Sequence, residues 1–289
     1  MNGILLIDKP ESWTSNDVVQ KLRGVLHEKR IGHAGTLDPM ATGLLTVFVG
    51  RATRAVEFAE SDKKRYLAGL RLGLKTDTQD VTGTVMERCG DAVSREELEA
   101  ILENFRGEIR QTPPMYSAVR VNGKRLYELA RRGQTVERPE RTVSIFSLEI
   151  LEKNGEDWML EVECSKGTYI RTLCHDIGEK LGCGACLSSL RRTGAGIFSV
   201  EDAHTVDAVA VSAAAGLADA LLLPTDTLFR EHPALTVGEK DESRVKNGSF
   251  FRLEEPDGFY RLYGENGGFL ALARIAGGTC RTIKSFFEV

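Results

Sequence analysis

Apolar residues recur along the chain with two periods, and each period predicts a different kind of element. Residues 4–7 are all apolar, residues 44–49 are apolar except for Thr46, and both runs are bounded by turn residues, which is typical of buried strands. Residues 64–74 alternate between apolar and polar positions, and residues 144–151 and 158–164 flank an Asn-Gly turn like the arms of a β-hairpin. The pattern therefore predicts at least five strands before the last third of the chain.

Helical spacing of apolar residues marks four further segments. Helices are predicted from the capping residues at 15–17 onward, from the capping box 94–97 to about Phe105, over 168–181, and over the Ala-rich residues 206–223. Strands and helices alternate irregularly, without a regular βαβ repeat. We therefore expect an α+β fold with a mixed or largely antiparallel sheet.

The last sixty or so residues have a different pattern from the rest. They are Gly-rich, and their short apolar runs are separated by turn residues, which is typical of a small β-barrel module. We predict a large domain over 1–228 and a small one over 229–289, with the boundary near 225–232. The large domain includes a basic insertion at about 106–140.

Composition indicates an ordinary globular protein. The chain has 289 residues, of which 42% are hydrophobic and 28% charged. The first residues lack a basic segment before their short apolar run, and no run is long enough to span a bilayer, so we expect a cytoplasmic protein. Among the six cysteines, Cys183 and Cys186 have the spacing of half a zinc site or of a redox pair. Because no second Cys-x-x-Cys follows, the favoured interpretation is that they are free thiols in a buried turn that enters a helix.

Charge is distributed unevenly along the chain. The net charge is −4, yet residues 1–200 carry 29 Lys/Arg against 28 Asp/Glu, whereas residues 201–289 carry 9 against 14. Between residues 120 and 132, five basic side chains face only Glu128. Such a segment either contacts phosphates or forms a solvated basic helix face.

One carboxylate lies in a loop of small and turn-forming residues. Asp38 precedes Pro39, and Gly32, Gly35 and Gly43 nearby permit a positive φ. Two interpretations are open: a carboxylate held for chemistry, or an Asp that caps a helix beginning at Pro39.

Other short segments also carry candidate chemistry. The acidic turn 76–80 either binds a divalent cation or, the favoured reading, forms an Asx turn. Tyr66 and Tyr169 are binding residues or half-buried packing aromatics. Arg171 stands at a helix start, where the helix dipole disfavours a cation, so it needs an anionic partner. A buried Asp38 needs a cation, and we therefore predict an Asp38–Arg171 pair.

Common nucleotide and metal motifs are missing from the sequence. It contains no Walker A loop, no dinucleotide-binding glycine fingerprint, no Gly-x-Ser-x-Gly and no His-Glu-x-x-His, and it has only five histidines. We expect chemistry that uses neither a cofactor nor a metal.

Five ordered motifs together resemble one family, the bacterial TruB family of tRNA pseudouridine synthases. They lie at residues 3–10, 33–38, 72–80, 113–118 and 165–171. The resemblance covers roughly residues 3–200, and the last sixty residues more loosely resemble the family's PUA-like RNA-binding domain. It implies a pseudouridine synthase catalytic domain that isomerises uridine 55 of the tRNA T loop after flipping the base out of its stack.

The resemblance also implies roles for individual residues. Asp38 corresponds to the essential catalytic aspartate, Arg171 to its paired arginine, and Tyr66 to the tyrosine that stacks on the base and assists proton removal from C5. His33 corresponds to the histidine that holds the T loop open, and Tyr169 and Leu190 to residues lining the uridine pocket. The remaining expected substrate contacts are Lys9, Pro10, Lys64 and Arg131.

We expect a monomer whose partner is the T stem-loop of tRNA, with no membrane and no metal. Two alternatives come from other classes. A non-catalytic RNA-binding or tRNA-folding protein would not need a carboxylate facing RNA. A glycosidase would need a second acid near Asp38, and the candidates Asp77 and Asp80 lie in a different motif.

Overall fold

The computed structural model describes residues 1–59, 63–90, 92–117, 119–121, 123–130 and 132–287. A nine-stranded mixed sheet forms the large part of the fold, and a curled five-stranded sheet forms the C-terminal module. The strands of the large part are β1 (Gly3–Lys9), β2 (Ile31–Ala34), β3 (Thr42–Val49), β4 (Lys64–Leu72), β5 (Leu74–Thr76), β6 (Val85–Arg88), β7 (Gly107–Gln111), β8 (Arg120–Val121), β9 (Lys124–Arg125), β10 (Arg141–Asn154), β11 (Asp157–Cys164), β12 (Ala185–Ala195) and β13 (Phe198–Ser199). Those of the module are β14 (Ala234–Val237), β15 (Phe251–Arg252), β16 (Gly258–Gly264), β17 (Phe269–Ala276) and β18 (Thr279–Ser285).

Six α-helices accompany these strands in the described residues. They are α1 (Ser15–Leu26), α2 (Arg95–Leu102), α3 (Leu126–Ala130), α4 (Ile170–Leu181), α5 (Val206–Ala214) and α6 (Glu239–Lys246). Shorter 3-10 helices lie at Gly50–Phe58, Glu103–Phe105, Val200–Asp202, Ala218–Leu221 and Thr225–Phe229.

The main sheet has the strand order β1-β3-β12-β4-β11-β10-β7, with β2 added on β3 and β13 on β12. Its neighbours are antiparallel except β12 and β3, which run parallel. The predicted α+β fold with a mixed, largely antiparallel sheet is therefore confirmed. Strand β7 belongs to this sheet, so the region 106–140 begins as an edge strand of the main body.

Both faces of the first strands are buried, which explains their continuous apolar sequences. Leu5 and Ile7 pack with α1 and α5, whereas Ile4 and Leu6 face a second core. That second core also contains Phe286 from the end of the chain. The C-terminal module is thus attached to the large part through apolar packing.

Polar contacts reinforce this attachment. Arg54 donates to the hydroxyl oxygen of Ser285 at 2.9 Å, and Lys284 forms an ion pair with Glu57. The rings of Phe58 and Phe229 meet edge to face with their centroids 5.4 Å apart. The module and the 3-10 helix Gly50–Phe58 of the large part therefore share both apolar and polar contacts.

Two local predictions are wrong. The helix expected over 206–223 ends at Ala214, because Gly216 adopts a left-handed conformation with φ 74° that stops it. The buried turn at Cys183 leads into strand β12 and not into a helix, because the following residues pair with β4. Within the described residues, no helix is long and apolar enough to cross a membrane.

Candidate active site

Asp38 lies in the connection between the antiparallel strands β2 and β3. The backbone closes there as a turn, with the Ala41 N–H donating to the Asp38 carbonyl at 3.1 Å. Strand β3 follows directly, so Asp38 does not cap a helix, and that interpretation is wrong. Gly35 and Gly43 have the positive φ that the sequence suggests, whereas Gly32 lies in β2 with no positive φ.

Arg171 projects from the first turn of α4 onto this loop. Its Nε lies 2.9 Å from Oδ2 of Asp38, so the predicted pair is confirmed. Their burial is unequal, because the Arg171 side chain is 5% exposed and that of Asp38 is 41% exposed. The expectation of a buried Asp38 is therefore wrong: the cation is buried and the carboxylate reaches solvent.

Arg171 also joins two other loops to the site. Its Nη1 donates to the Thr78 carbonyl at 3.0 Å, and its Nη2 donates to the Tyr116 carbonyl at 2.7 Å. Nη1 additionally lies 3.6 Å from the buried carboxylate of Asp80. One guanidinium therefore connects three loops, and its burial is compensated by two carboxylates and two carbonyls.

Asp80 was not among the site residues expected from sequence. Its Oδ1 accepts hydrogen bonds from the Thr82 N–H at 3.0 Å and from the Thr78 hydroxyl at 2.9 Å. These bonds confirm the Asx turn.

No cluster of three or more His, Cys, Asp or Glu residues in the described ranges could hold a metal ion.

Tyr66 lies on β4 directly opposite Arg192 of β12. Burial raises the pKa of the Tyr66 hydroxyl, and the charge of Arg192 beside it opposes that rise. Arg192 is itself fully buried and donates to the carbonyls of Leu44 and Gly35, each at 2.7 Å. The hydroxyl therefore stays protonated at neutral pH next to a fixed positive charge.

Tyr169 is the N-cap residue of α4, two positions before Arg171, and Leu190 lies on β12 opposite Ala68 of β4. The side-chain amide of Gln111 accepts from the Tyr169 N–H at 3.0 Å and donates to its carbonyl at 3.2 Å. The Arg141 guanidinium lies 5.3 Å from the Tyr169 ring centroid, a cation–π contact. Leu190 is buried in the same core cluster as Tyr66.

His33, on β2, lies near enough to Arg192 for the two side chains to interact electrostatically. Burial lowers the pKa of the imidazole, and Arg192 lowers it further, so the ring is neutral at neutral pH. Its buried Nδ1 has no hydrogen-bond partner among the residues the structure describes.

Lys9 is fully buried beneath the Asp38 loop. Its ammonium donates to the carbonyls of Pro10 at 2.7 Å, Trp13 at 2.6 Å and Pro39 at 3.3 Å. Desolvation lowers the pKa of Lys9 to about 8, although Asp38 opposes the shift. Through the Pro39 carbonyl, the Lys9 side chain holds the backbone of the Asp38 loop.

The remaining expected substrate contacts lie at the rim or outside the described residues. Pro10 is exposed, and Lys64 is partly exposed at the start of β4. Arg131 lies outside the described residues, as do parts of the basic segment 120–132. None of the six cysteines, all of which lie in the described residues, forms a disulfide.

The fold and the site together define a class, because a loop Asp bound by a helix-borne Arg over a large mixed sheet is the arrangement expected of a pseudouridine synthase. The family profile "TruB family pseudouridylate synthase (N terminal domain)" matches residues 23–170, and "tRNA pseudouridylate synthase B C-terminal domain" matches residues 171–230. The chain belongs to the TruB family of tRNA pseudouridine synthases, which are isomerases.

Relatives and solved structures agree with this membership. The chain is 45% identical over 282 residues to "tRNA pseudouridine synthase B" of Syntrophomonas wolfei, covering 94% of this chain and 93% of the relative. It is 44% identical to the Azoarcus protein of the same name over 97% of this chain and 93% of that protein. The crystal structure of a Cbf5-Nop10-Gar1 complex matches with TM-score 0.73 and 26% identity over 99% of this chain and 85% of the matched chain.

Proposed function

We propose that this enzyme converts uridine 55 in the T loop of tRNA into pseudouridine, with Asp38 as the essential carboxylate. Its relatives carry the name tRNA pseudouridine synthase B. The observation that carries the proposal is the Asp38–Arg171 pair. A buried cation fixes a carboxylate that remains accessible to a substrate.

The reaction needs few groups. The bond between C1′ and N1 of uracil breaks, a bond between C1′ and C5 forms, C5 loses a proton and N1 gains one. No water is consumed and nothing is oxidised, so the balance requires no cofactor. Arg171 holds Oδ2 of Asp38, and no donor in the described residues contacts Oδ1, which is left for the substrate.

The base reaches Asp38 only after it leaves its stack in the RNA. We assign Tyr66 to stack on the flipped uracil. Because its hydroxyl is protonated, we assign it to assist proton removal from C5 by giving up its own proton as it receives the one from C5, with Arg192 holding positive charge beside the oxygen. Tyr169 and Leu190 line the uridine pocket. We assign His33 to hold the T loop open.

Phosphate contacts come from the basic residues around this pocket. We assign Lys64 and Arg131, with the segments 63–65 and 120–132, to the RNA backbone. Pro10 borders the same face, and Lys9 supports it from below by holding Pro39.

The C-terminal module, which we delimit as 229–289 after a catalytic domain of 1–228, is assigned to tRNA outside the T loop. Its nine Lys/Arg balance its nine Asp/Glu, and its surface carries two exposed cation–aromatic pairs. The Arg281 guanidinium lies 5.6 Å from the Phe250 ring centroid, and that of Arg274 lies 5.9 Å from the Phe259 centroid. Such pairs suit stacking with unpaired nucleotides and contact with phosphates. We propose that the enzyme acts as a monomer in the cytoplasm, where its substrate is found.

The target nucleotide is tested with two tRNA transcripts carrying tritium at C5 of every uridine. Release of about one equivalent of tritium is expected from the first transcript. The second has cytidine at position 55 and should release none. Release from both transcripts would place the reaction at another uridine. Tight binding without release from either would return the chain to the non-catalytic RNA-binding alternative.

A further inference from the structure

Ser15 makes two hydrogen bonds with a residue in the Asp38 loop. Its hydroxyl oxygen accepts from the Leu37 N–H at 2.9 Å, and the hydroxyl donates to the Leu37 carbonyl at 3.2 Å. Ser15 is 1% exposed, and Leu37 is buried too. Water therefore cannot replace these bonds without opening the core.

The helix does not need the Ser15 hydroxyl, although Ser15 is the first residue of α1. Thr14 is the N-cap, and its side chain accepts from the Asp17 N–H at 3.1 Å. The Asp17 carboxylate in turn accepts from the Thr14 N–H at 2.8 Å, which completes a capping box. Two neighbouring hydroxyls thus serve separate purposes, one at the helix start and the other at the loop.

The Leu37 carbonyl belongs to the peptide unit that continues into Asp38. A donor on that oxygen fixes the orientation of the peptide plane between Leu37 and Asp38. Only a few rotatable bonds of Asp38 then separate this plane from the carboxylate. The Ala41 N–H holds the Asp38 carbonyl on the other side of the residue, at 3.1 Å. The other side-chain anchors of the loop lie further along the backbone from Asp38: Arg192 holds the Gly35 carbonyl at 2.7 Å, and Lys9 holds the Pro39 carbonyl at 3.3 Å.

We propose that Ser15 is a positioning residue that sets the backbone from which Asp38 meets the uridine. This role rests on the proposed function of Asp38. Arg171 holds the carboxylate from one side and Ser15 fixes its backbone from the other, so the reacting oxygen is kept in one place before substrate arrives. A displacement of about 1 Å at a reacting group lowers a rate by about a hundredfold.

Ser15→Ala and Thr14→Ala make a matched pair, since each removes one hydroxyl at adjacent positions. The measurements are the single-turnover rate of tritium release at saturating enzyme, the Kd for tRNA, and the Tm. Ser15→Ala should lower the rate by about 10- to 100-fold and leave the Kd within about twofold. Thr14→Ala should lower the Tm and leave the rate within about twofold.

Ser15→Cys keeps a weaker donor and acceptor of similar size, and its rate should fall between those of the wild type and Ser15→Ala. If Ser15→Ala fails to fold, Ser15→Cys alone decides, because a rate equal to that of the wild type overturns the proposal. Equal rate losses in Ser15→Ala and Thr14→Ala also overturn it, since disturbance of the helix start would explain both. If the wild type itself releases no tritium, the proposed function fails and the role of Ser15, which rests on it, fails with it; an active wild type with an equally active Ser15→Ala overturns the role of Ser15 alone.

Discussion

Arg171 meets Asp38 through Nε at 2.9 Å while its Nη1 lies 3.6 Å from Asp80. The two carboxylates differ in exposure: Asp80 is buried in an Asx turn, and Asp38 faces solvent. Asp80 therefore offsets the burial of the guanidinium, and the carboxylate of Asp38 remains accessible to solvent. This division of labour leads to separate expectations for each residue.

Arg171→Lys keeps the charge but loses the planar fork that reaches three loops. We expect the single-turnover rate to fall by about 10²- to 10³-fold, as for the loss of one preorganised donor. The Tm should fall too, because the Thr78 and Tyr116 carbonyls lose their donors. A rate near that of the wild type would show that the pair has no catalytic role.

Asp80→Asn removes a charge and keeps the shape of the turn. The rate should fall by about tenfold or more, and the free energy of unfolding should fall by about 1–3 kcal/mol, because Arg171 loses its buried counter-charge. Asp77→Asn is the control: Asp77 accepts from the Thr84 N–H at 2.7 Å in the same turn and has no ion pair with Arg171. Equal effects in single-turnover assays would contradict the link through Arg171.

Lys9→Met should destabilise the protein in a pH-dependent way. At pH 7.5 the loss should be about 1–3 kcal/mol, since three buried carbonyls lose their donor. The pKa of Lys9 is about 8 when folded and 10.5 in the unfolded chain. Between about pH 8 and pH 10.5 the unfolded state therefore binds more protons than the folded state, so the free energy of unfolding of the wild type increases with pH. Lys9→Met has no such group and lacks this increase. Urea unfolding at pH 7.5 and 9.5 should show a widening difference between the two proteins; a narrowing one contradicts the depressed pKa.

Lys64→Gln tests the phosphate contact. The slope of log Kd for tRNA against log salt concentration should become shallower by about one, with the rate at saturation unchanged in order of magnitude. Lys153→Gln is the control. Lys153 lies beside the end of β4 that contains Arg71, whereas Lys64 lies at the other end of that strand. Identical slopes for wild type and Lys64→Gln would mean that Lys64 does not contact an RNA phosphate.

The double variant Arg274→Gln, Arg281→Gln tests the C-terminal module. Its affinity for whole tRNA should fall by about tenfold, and its affinity for an isolated T stem-loop should not change. Competition binding with both RNAs distinguishes these results. Equal weakening for both RNAs would mean that the module does not contact tRNA outside the T loop.

Much of the site follows from sequence because its requirements are local or electrostatic. The capping box at 94–97 and the strand alternation over 64–74 need only neighbouring residues, and both elements form. The Asp38–Arg171 pair follows from the need of a helix-start cation for an anion. The sequence predicts a buried Asp38, but the structure buries Arg171 and leaves Asp38 accessible. This difference depends on the packing around α4, which a local sequence pattern does not predict.

Three further site residues are not apparent from the sequence. Asp80 satisfies a local Asx turn, which hides its long-range contact with Arg171. Ser15 looks like one more capping residue, and only the fold brings it to Leu37. Arg192 gives no local sign of burial, because its partners are backbone carbonyls distant in sequence.

The most direct test of the account is tritium release from a tRNA transcript labelled at uridine C5, in EDTA, with the wild type and Asp38→Asn. Wild type should release about one equivalent. Asp38→Asn keeps the size of the side chain, so it should bind tRNA within about tenfold of wild type, equivalent to about 1.4 kcal/mol, while releasing essentially no tritium. Undiminished release by Asp38→Asn would contradict the assignment of Asp38 as the essential carboxylate.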